Sequence, residues 1–346
     1  MKKVFLILFI AMTAMTSVQA QQISVVKDDG STTLHRTLAE AIAAIEDGCV
    51  IYLPGGGFTI ADDVKITKRV TIIGTGHKTV TDNVDGNTTI SGNLFFNVGS
   101  SQSAIMGCYI TGNVVIGEDG AVNDVLVRYC NLNSVQVKNS ECQETFVNQN
   151  YIRTTSDFGG TNATITNNVL HSLKGLISGV VTHNVILNAW KYGQSQSVGY
   201  PYVAAVNADL SSIKYNLFDV TSTGIYRLDH VNGTYMYYRG SDNSCYKNLA
   251  VKTGTNSSLG EGGILLETGN WDDVLENFIG GSINTNASFK FKGDYAEYND
   301  TIGIYAGTGF SDEQKAPTPY IIEKEIDEQT DAQGKLKIKI SVKANQ

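Results

Sequence analysis

The sequence is poor in proline, tryptophan and positive charge. Its 346 residues include 4 prolines, 2 tryptophans and 26 lysines and arginines against 34 acidic residues, for a net charge of −8. Nucleic acid is not expected as a partner, because phosphate contacts need clustered Lys and Arg. Glycine is abundant at 35 residues, which is typical of an all-β protein with many turns.

Long apolar runs are also lacking. Residues 1–20 begin with two lysines, continue with a short apolar run and end in Val18-Gln19-Ala20, which predicts a secretory signal peptide. No later stretch approaches the roughly 20 apolar residues that a membrane-spanning helix needs. We therefore expect a secreted monomer, periplasmic, extracellular or at the cell surface, with no integral membrane segment.

Metal-ligand spacing is missing as well. The five histidines are scattered along the chain, and no cluster of acidic residues that would bind calcium is visible. No metal or other cofactor is expected.

One short phrase recurs along the chain: an apolar residue, two mostly polar residues, an asparagine and a second apolar position two residues later. Its asparagines are Asn150, Asn168, Asn184, Asn216, Asn248, Asn277 and, more weakly, Asn299, while Cys108 and Cys130 take the same position in earlier copies and Asn93 is a looser match. One such unit cannot bury its own apolar face, but a stack of them can. The repeat predicts a coil of short strands, each parallel to its counterpart about 4.8 Å away, with inward asparagines bonded to one another.

The stretch before the repeat carries a more specific signal. "RTLAEAIAAIEDG" predicts an amphipathic helix at about 37–47, with Thr37 and Glu40 as a capping box. It is followed by "CVIYLPGGGFTI" and "VKITKRVTIIGTG". Together these segments resemble the entry of pectate-lyase-like parallel β-helix proteins, over about residues 30–305. The resemblance implies an all-β fold: a right-handed single-stranded parallel β-helix whose N-terminal α-helix covers the open end of the coil. It also implies a carbohydrate partner.

These features predict three regions. The signal peptide occupies 1–20, the β-helix domain 21–310 and a C-terminal segment 311–346. The last segment is charged and alternates in "KLKIKISVKA", which predicts a β-hairpin. It would either cap the far end of the coil or serve for attachment.

Three long turns between residues 184 and 277 concentrate aromatic side chains. The predicted substrate-binding residues are Trp190, Tyr192, Tyr226, Tyr237 and Trp271, together with Asp272. Aromatic faces stack on sugar rings, so these turns would wall a polysaccharide groove. The alternative is that the same rings pack the turns onto the coil.

Strand alternation predicts one catalytic row. If "YMYYRG", "ILLETG" and "SFKFKG" are equivalent strands on successive turns, then Arg239, Glu267 and Lys292 lie side by side on the outer surface. Lys292 or Arg239 could act as the proton-abstracting base, Arg239 could neutralise a uronate carboxylate and Glu267 could orient the base. The alternative is an exposed salt-bridge ladder that contributes little.

The motifs of active relatives are mostly missing. Of the glycoside hydrolase signatures only Asp272-Asp273 occurs, in a different setting, and nothing selects a pair among Glu261, Glu267, Asp272 and Asp273. Two functions stay open: a polysaccharide lyase or glycoside hydrolase, and a non-catalytic glycan-binding or cell-surface structural protein. Cys108 and Cys130 would stack as buried free thiols or form a disulfide.

Overall fold

The computed structural model describes most of the chain after residue 21. The described ranges are 22–78, 86–187, 190–194, 201–219, 235–251, 259–266, 271–278, 283–310, 320–326, 335–336 and 338–343. The predicted signal peptide lies outside them. Within them, no helix is long and apolar enough to cross a membrane.

Three sheets of short strands form the body of the protein, and successive strands along the chain pass from sheet A to sheet B to sheet C. Sheet A contains, in spatial order, Thr32–His35, Ile23–Val26, Cys49–Tyr52, Val70–Ile73, Ala104–Met106, Leu126–Arg128, Phe146–Asn148, Thr164–Thr166, Val180–Thr182, Ser212–Lys214 and Ser244–Tyr246. Sheet B contains Gly56–Thr59, Thr88–Ser91, Tyr109–Ile110, Asn131–Leu132, Tyr151–Ile152, Val169–Leu170, Val185–Ile186, Leu217–Phe218, Leu249–Val251 and Ile264–Leu266.

Sheet C is the third side of the coil. Its strands are Lys65–Ile66, Leu94–Phe96, Val114–Ile116, Val135–Val137, Ser156–Phe158, Leu173–Ile177 and Pro201–Asp209, with Tyr235–Arg239 parallel and Trp190–Gln194 antiparallel to the last of them. From Cys49 to Leu266, strands that pair within a sheet across successive coils are parallel. The predicted all-β parallel β-helix is thus confirmed.

The core fills the inside of the coil because strand residues alternate between inside and outside. On sheet A, Ile105, Val127, Val147 and Ile165 stack from coil to coil and are fully buried. These are the apolar positions of the repeated phrase, which therefore serves the architecture.

The N-terminal end is covered as expected, with one addition. The helix spans Leu38–Ala44 and begins at the predicted capping box of Thr37 and Glu40, while Ile45 is already extended. It buries its apolar face in the main core. An antiparallel hairpin, Ile23–Val26 with Thr32–His35, precedes it and extends sheet A. The hairpin is an unpredicted element, and its outermost strand ends the sheet.

A column of buried asparagines connects the coils between sheets A and B. It consists of Asn150, Asn168, Asn184, Asn216 and Asn248, all fully buried. Each Oδ1 accepts a hydrogen bond from the backbone N–H of the preceding column position at 2.9–3.0 Å, beginning with the N–H of Cys130. From Asn150 to Asn216, each Nδ2 also donates to the next Oδ1 at 3.0 Å. The column satisfies corner groups that burial would otherwise leave unpaired.

The left-handed residue at this corner is the one before the asparagine. Positive φ angles of 47–57° occur at Tyr129, Gln149, Asn167, His183, Tyr215 and Lys247. A non-glycine residue is strained there by roughly 1–2 kcal/mol. The asparagine amides lie beside these residues and hold the strained corner by bonding across it.

The coil ends earlier than the repeat predicts, and three asparagine assignments are corrected. Asn277 is exposed and donates to Asn286 O, and Asn299 bonds to the backbone of Phe291. Neither joins the column. Asn93 belongs to the corner between sheets B and C, where its Oδ1 accepts from Asn113. Local phrase matching cannot tell these positions apart, because only the partner one coil away defines the column.

Residues 271–278 and 283–310 form a layer, here called the C-terminal layer, that covers the outer face of sheet B. It contains the 3₁₀ helices Trp271–Asp273 and Gly293–Asp300 and the antiparallel strands Leu275–Asn277 and Ser288–Phe291. Its core packs on the outward residues of sheet B, namely Tyr151, Val169, Val185, Leu217 and Leu249. These outward positions are apolar and therefore need a cover.

The predicted C-terminal hairpin is present. Tyr320–Ile326 and Ile338–Lys343 pair in antiparallel fashion. Its role as a cap or an attachment segment stays a prediction.

The cysteines at the asparagine corner are free thiols. Cys108 and Cys130 are fully buried. Burial raises the pKa of the Cys130 thiol to about 12 and that of Cys108 well above its ordinary value. Such thiols stay protonated and inert while the coil is folded.

Alkylation should therefore separate the cysteines. We expect iodoacetamide at mildly alkaline pH to leave Cys108 and Cys130 unmodified in the native protein, to react sooner with the less buried Cys245, and to modify all three in urea. Because only the unfolded thiols ionise at pH above about 9, the free energy of unfolding should also fall as pH rises toward 12. Mass spectrometry of the native reaction checks this, and rapid native modification of Cys130 would contradict the burial.

Candidate functional site

The outer face of sheet C carries a row of polar side chains on consecutive coils, here called the sheet C row. Its members are Gln136, Asp157, Lys174, Asn207 and Arg239. Backbone pairing places Asp157 beside Gln136 and Lys174, and Arg239 beside Asn207. Neighbouring strands lie about 4.8 Å apart, so the row is about 19 Å long and follows the coil axis.

A bulge shapes the middle of the row. The pairing register shifts between Leu173 and Leu176, which leaves Lys174 and Gly175 opposite Asn207. Gly175 has φ +76°, and a Cβ there would lie 3.0 Å from the carboxylate of Asp157. Bulges redirect side chains, and here the glycine leaves room for the Asp157 carboxylate at the surface.

Asp157 and Lys174 form an ion pair, with Oδ2 and Nζ 2.8 Å apart. Their side chains are 39% and 37% exposed, so solvent screens the pair and its contribution to stability is small. Gln136 Nε2 donates to Ser134 Oγ at 3.1 Å, which orients the amide. The row thus presents oriented amides and charges to solvent.

The end of the row at Arg239 depends on a glycine. Gly240 has φ +119°, and a Cβ there would lie 1.8 Å from Ala208 O. Only glycine permits this approach, which turns the chain away directly after Arg239. At the other end, Lys65 covers the ring of Phe95, with Nζ 3.2 Å from the ring centroid. Phe95 and the next residue along this line, Val115, are 7% and 4% exposed, so the polar surface begins beyond them, at Gln136.

Four predicted site residues belong to sheet C. Trp190 and Tyr192 lie in Trp190–Gln194, whose strand pairs antiparallel with Pro201–Asp209. Tyr237 and Arg239 lie in Tyr235–Arg239, on the opposite side of the same long strand. Both strands therefore belong to the sheet that carries the sheet C row.

None of the remaining predicted positions that the structure describes joins this face. Tyr226 and Glu267 lie outside the described residues. Trp271 is 4% exposed, packs on Phe278 with ring centroids 5.6 Å apart, and belongs to the C-terminal layer over sheet B. Stacking of a sugar on Trp271 is therefore wrong, and the alternative reading, packing, holds for this ring. Asp272 is exposed in the same layer.

The reasoning behind the row of Arg239, Glu267 and Lys292 is also corrected. Tyr235–Arg239 belongs to sheet C, Ile264–Leu266 to sheet B, and Ser288–Phe291 pairs antiparallel in the C-terminal layer. The three strands are not successive turns of one sheet. Lys292 lies half-buried just before the 3₁₀ helix Gly293–Asp300.

Sequence reasoning missed Gln136, Asp157 and Lys174. Each follows its asparagine-corner residue (Cys130, Asn150 or Asn168) by six or seven residues. A count from the repeated corner identifies these three positions, whereas the aromatic composition of the long turns does not point to them. Among the described residues, no three His, Cys, Asp or Glu side chains converge as a metal site.

The three parallel sheets define the class, which is that of parallel β-helix proteins. No protein-family model and no curated protein matches the chain. Among solved structures, the chain is similar to a pectin methylesterase from Aspergillus niger, crystallised in deglycosylated form. The two share 15% identity with a TM-score of 0.24, over 80% of this chain and 95% of the other. At these values the fold assignment rests on the strand pairing described above.

Proposed function

We propose that the chain is a secreted β-helix protein that binds an acidic polysaccharide along the sheet C row. The observation that carries the proposal is the unbroken series of Gln136, Asp157, Lys174, Asn207 and Arg239 on consecutive coils. A linear ligand lying along the coil axis would meet a polar side chain about every 4.8 Å. Lys174 and Arg239 would bind its carboxylates, and the amides would bind its hydroxyls.

Binding is favoured over hydrolysis by the composition of the row. Hydrolysis by the common mechanisms needs two carboxyl groups across the scissile bond. In the described part of the row, Asp157 is the single carboxylate, and it is paired with Lys174. Trp190 and Tyr192 lie in the strand Trp190–Gln194 of the same sheet, and we propose that these aromatic residues add sugar-stacking surface.

Loss of Arg239 should weaken this binding. We expect Arg239→Ala to reduce the affinity for polygalacturonate or alginate about tenfold, equivalent to about 1.4 kcal/mol, and Lys174→Ala to act in the same direction. Affinity electrophoresis and calorimetry measure the effect, which should shrink as salt is added. Dextran serves as the neutral polysaccharide.

The matched control is Lys290→Ala, which removes a cation from the C-terminal layer, where Lys290 is 55% exposed. Its affinity should equal that of the unmodified protein. Equal loss in all three variants would indicate a diffuse charge effect and contradict the row as the site. Release of unsaturated uronates or of new reducing ends from any polysaccharide would replace binding by catalysis as the function.

A further inference from the structure

A second concave surface lies on sheet A, on a different side of the coil from the sheet C row. This surface, here called the sheet A groove, has a volume of about 340 Å³ and spans three coils. Its lining residues are Leu126, Arg128, Phe146, Asn148, Thr164, Thr166 and Thr308. All but Thr308 are outward positions of sheet A. Thr308 comes from the C-terminal layer and forms one wall.

That wall is fixed to the corner by Asn167, which is fully buried. Asn167 Nδ2 donates to Ile304 O at 2.8 Å and to Ala306 O at 2.7 Å. Its Oδ1 accepts from Thr308 Oγ1 at 2.8 Å and from Thr166 Oγ1 at 2.7 Å. The groove is therefore held in shape before any ligand arrives, which lowers the entropy that binding costs.

Arg128 supplies the charge of the groove. Its guanidinium carbon lies 4.4 Å from the centroid of the Tyr129 ring. Its Nε is shielded from solvent and has no hydrogen-bond partner within the described structure. An arginine carries five donors that match carboxylates and sulfates, and among the described residues no carboxylate lines the groove. A partly shielded cation in this state fits an anionic group of a ligand.

Most of the remaining hydrogen-bonding capacity of the groove wall is acceptor capacity. Thr166 Oγ1 and Thr308 Oγ1 already donate their protons to Asn167, and Asn148 Nδ2 donates one N–H to Thr166 O at 3.2 Å. The two hydroxyl oxygens and Asn148 Oδ1 can still accept hydrogen bonds, and Asn148 Nδ2 keeps one further N–H. Ligand hydroxyl groups are the matching donors.

The groove floor is apolar. Phe146 is 37% exposed, and its neighbours on the adjacent coils are Leu126 and Thr164. An aromatic face beside a cation and hydroxyl acceptors matches a pyranose ring, which has an apolar face, hydroxyl protons and, in acidic sugars, an anion.

Charge sets the direction of the ligand. Asp124 and Glu144 lie where the strands that line the groove begin, two residues before Leu126 and Phe146, whereas Arg128 lies where its strand ends. The two acidic residues therefore mark the edge of the groove opposite Arg128. Asp124 raises the pKa of Glu144 through a hydrogen bond and charge repulsion. The anionic end of a ligand would avoid this edge.

We propose that the sheet A groove is a separate site for a single anionic sugar residue. Arg128 binds the carboxylate or sulfate, and Phe146 contacts the ring face. Asn148, Thr166 and Thr308 accept hydrogen bonds from the sugar hydroxyl groups. The proposal shares no residue with the sheet C row, so either site can fail without the other.

The test is a titration of the full chain with galacturonic acid, galactose 6-sulfate and galactose. Ligand-observed NMR measures the binding of each sugar. We expect both anionic sugars to bind more tightly than galactose. Arg128→Met keeps the side-chain stem and should weaken the anionic sugars about tenfold, removing their preference over galactose. Phe146→Ala should weaken all three sugars, and Arg128→Lys should retain part of the preference.

A control variant distinguishes this site from charge elsewhere. Lys214→Met removes a cation from the same outward face of sheet A, four coils away. It should leave galacturonic acid binding at the groove unchanged. Unchanged binding in a folded Arg128→Met variant, or failure of the unmodified protein to bind either anionic sugar at about 10 mM, would overturn the proposal.

Discussion

Replacing Asn184 with alanine is expected to lower the free energy of unfolding by about 3 kcal/mol. The Asn184 amide makes five hydrogen bonds in a fully buried place. It donates to Ile165 O, Thr182 O and Asn216 Oδ1 and accepts from the backbone and side-chain N–H groups of Asn168. Alanine cannot replace these bonds, and each buried polar group left without a partner costs about 1–3 kcal/mol. Urea unfolding followed by circular dichroism measures the change.

The matched control is Asn277→Ala. Asn277 stands in the same repeated phrase but is exposed in the C-terminal layer, so its replacement should change the free energy by less than about 0.5 kcal/mol. Equal effects of the two substitutions would show that the column contributes no more than a surface amide. Position in the column, rather than position in the phrase, is what the pair of variants tests.

The same contrast shows how far the sequence predicts the fold. The coil could be predicted because each strand contributes one inward apolar residue and one corner asparagine, and both recur at Asn150, Asn168 and Asn184. The end of the coil could not, because Asn277 carries the phrase without a partner one coil away. Parallel pairing is a property of two turns together, and a single turn contains no sign of where the stack stops.

The candidate site shows a different limit. Arg239 was predicted as an outward residue of a coil strand, and the backbone pairing places it beside Asn207 on sheet C. Glu267 and Lys292 were joined to it by treating three strands as equivalent, although the strands before them belong to three different sheets. Counting from the corner asparagine fixes which sheet a short turn reaches. Beyond the long turns this count is lost, and with it the alignment of outward side chains.

Two hydrophobic cores lie on opposite sides of sheet B, and we expect them to unfold separately. Ile152 and Leu170 face the inside of the coil, whereas Tyr151 and Val169 on the same strands face the C-terminal layer. The layer therefore completes the burial of sheet B without contributing to the parallel ladder. A substitution within the outer core should therefore destabilise the C-terminal layer before it destabilises the coil.

Phe289→Ala tests whether the C-terminal layer and the coil unfold separately. Phe289 is 1% exposed, lies in the antiparallel strand Ser288–Phe291 and meets Phe278 edge to face, with centroids 6.4 Å apart. Removing a buried phenylalanine side chain costs about 3–5 kcal/mol. We expect the C-terminal layer to open before the coil does, so that amides of 275–278 and 283–291 exchange with solvent while those of Val127 and Ile165 stay protected.

Opening of the layer should also uncover the apolar outer residues of sheet B, and a hydrophobic dye should then bind to the folded coil. Phe146→Ala is the control, because Phe146 is an exposed phenylalanine on sheet A, and its loss should leave both exchange and dye binding unchanged. Simultaneous loss of protection in the layer and the coil would contradict two separable cores. In that case sheet B would transmit the damage from one face to the other, and the parallel coil could not fold without its cover.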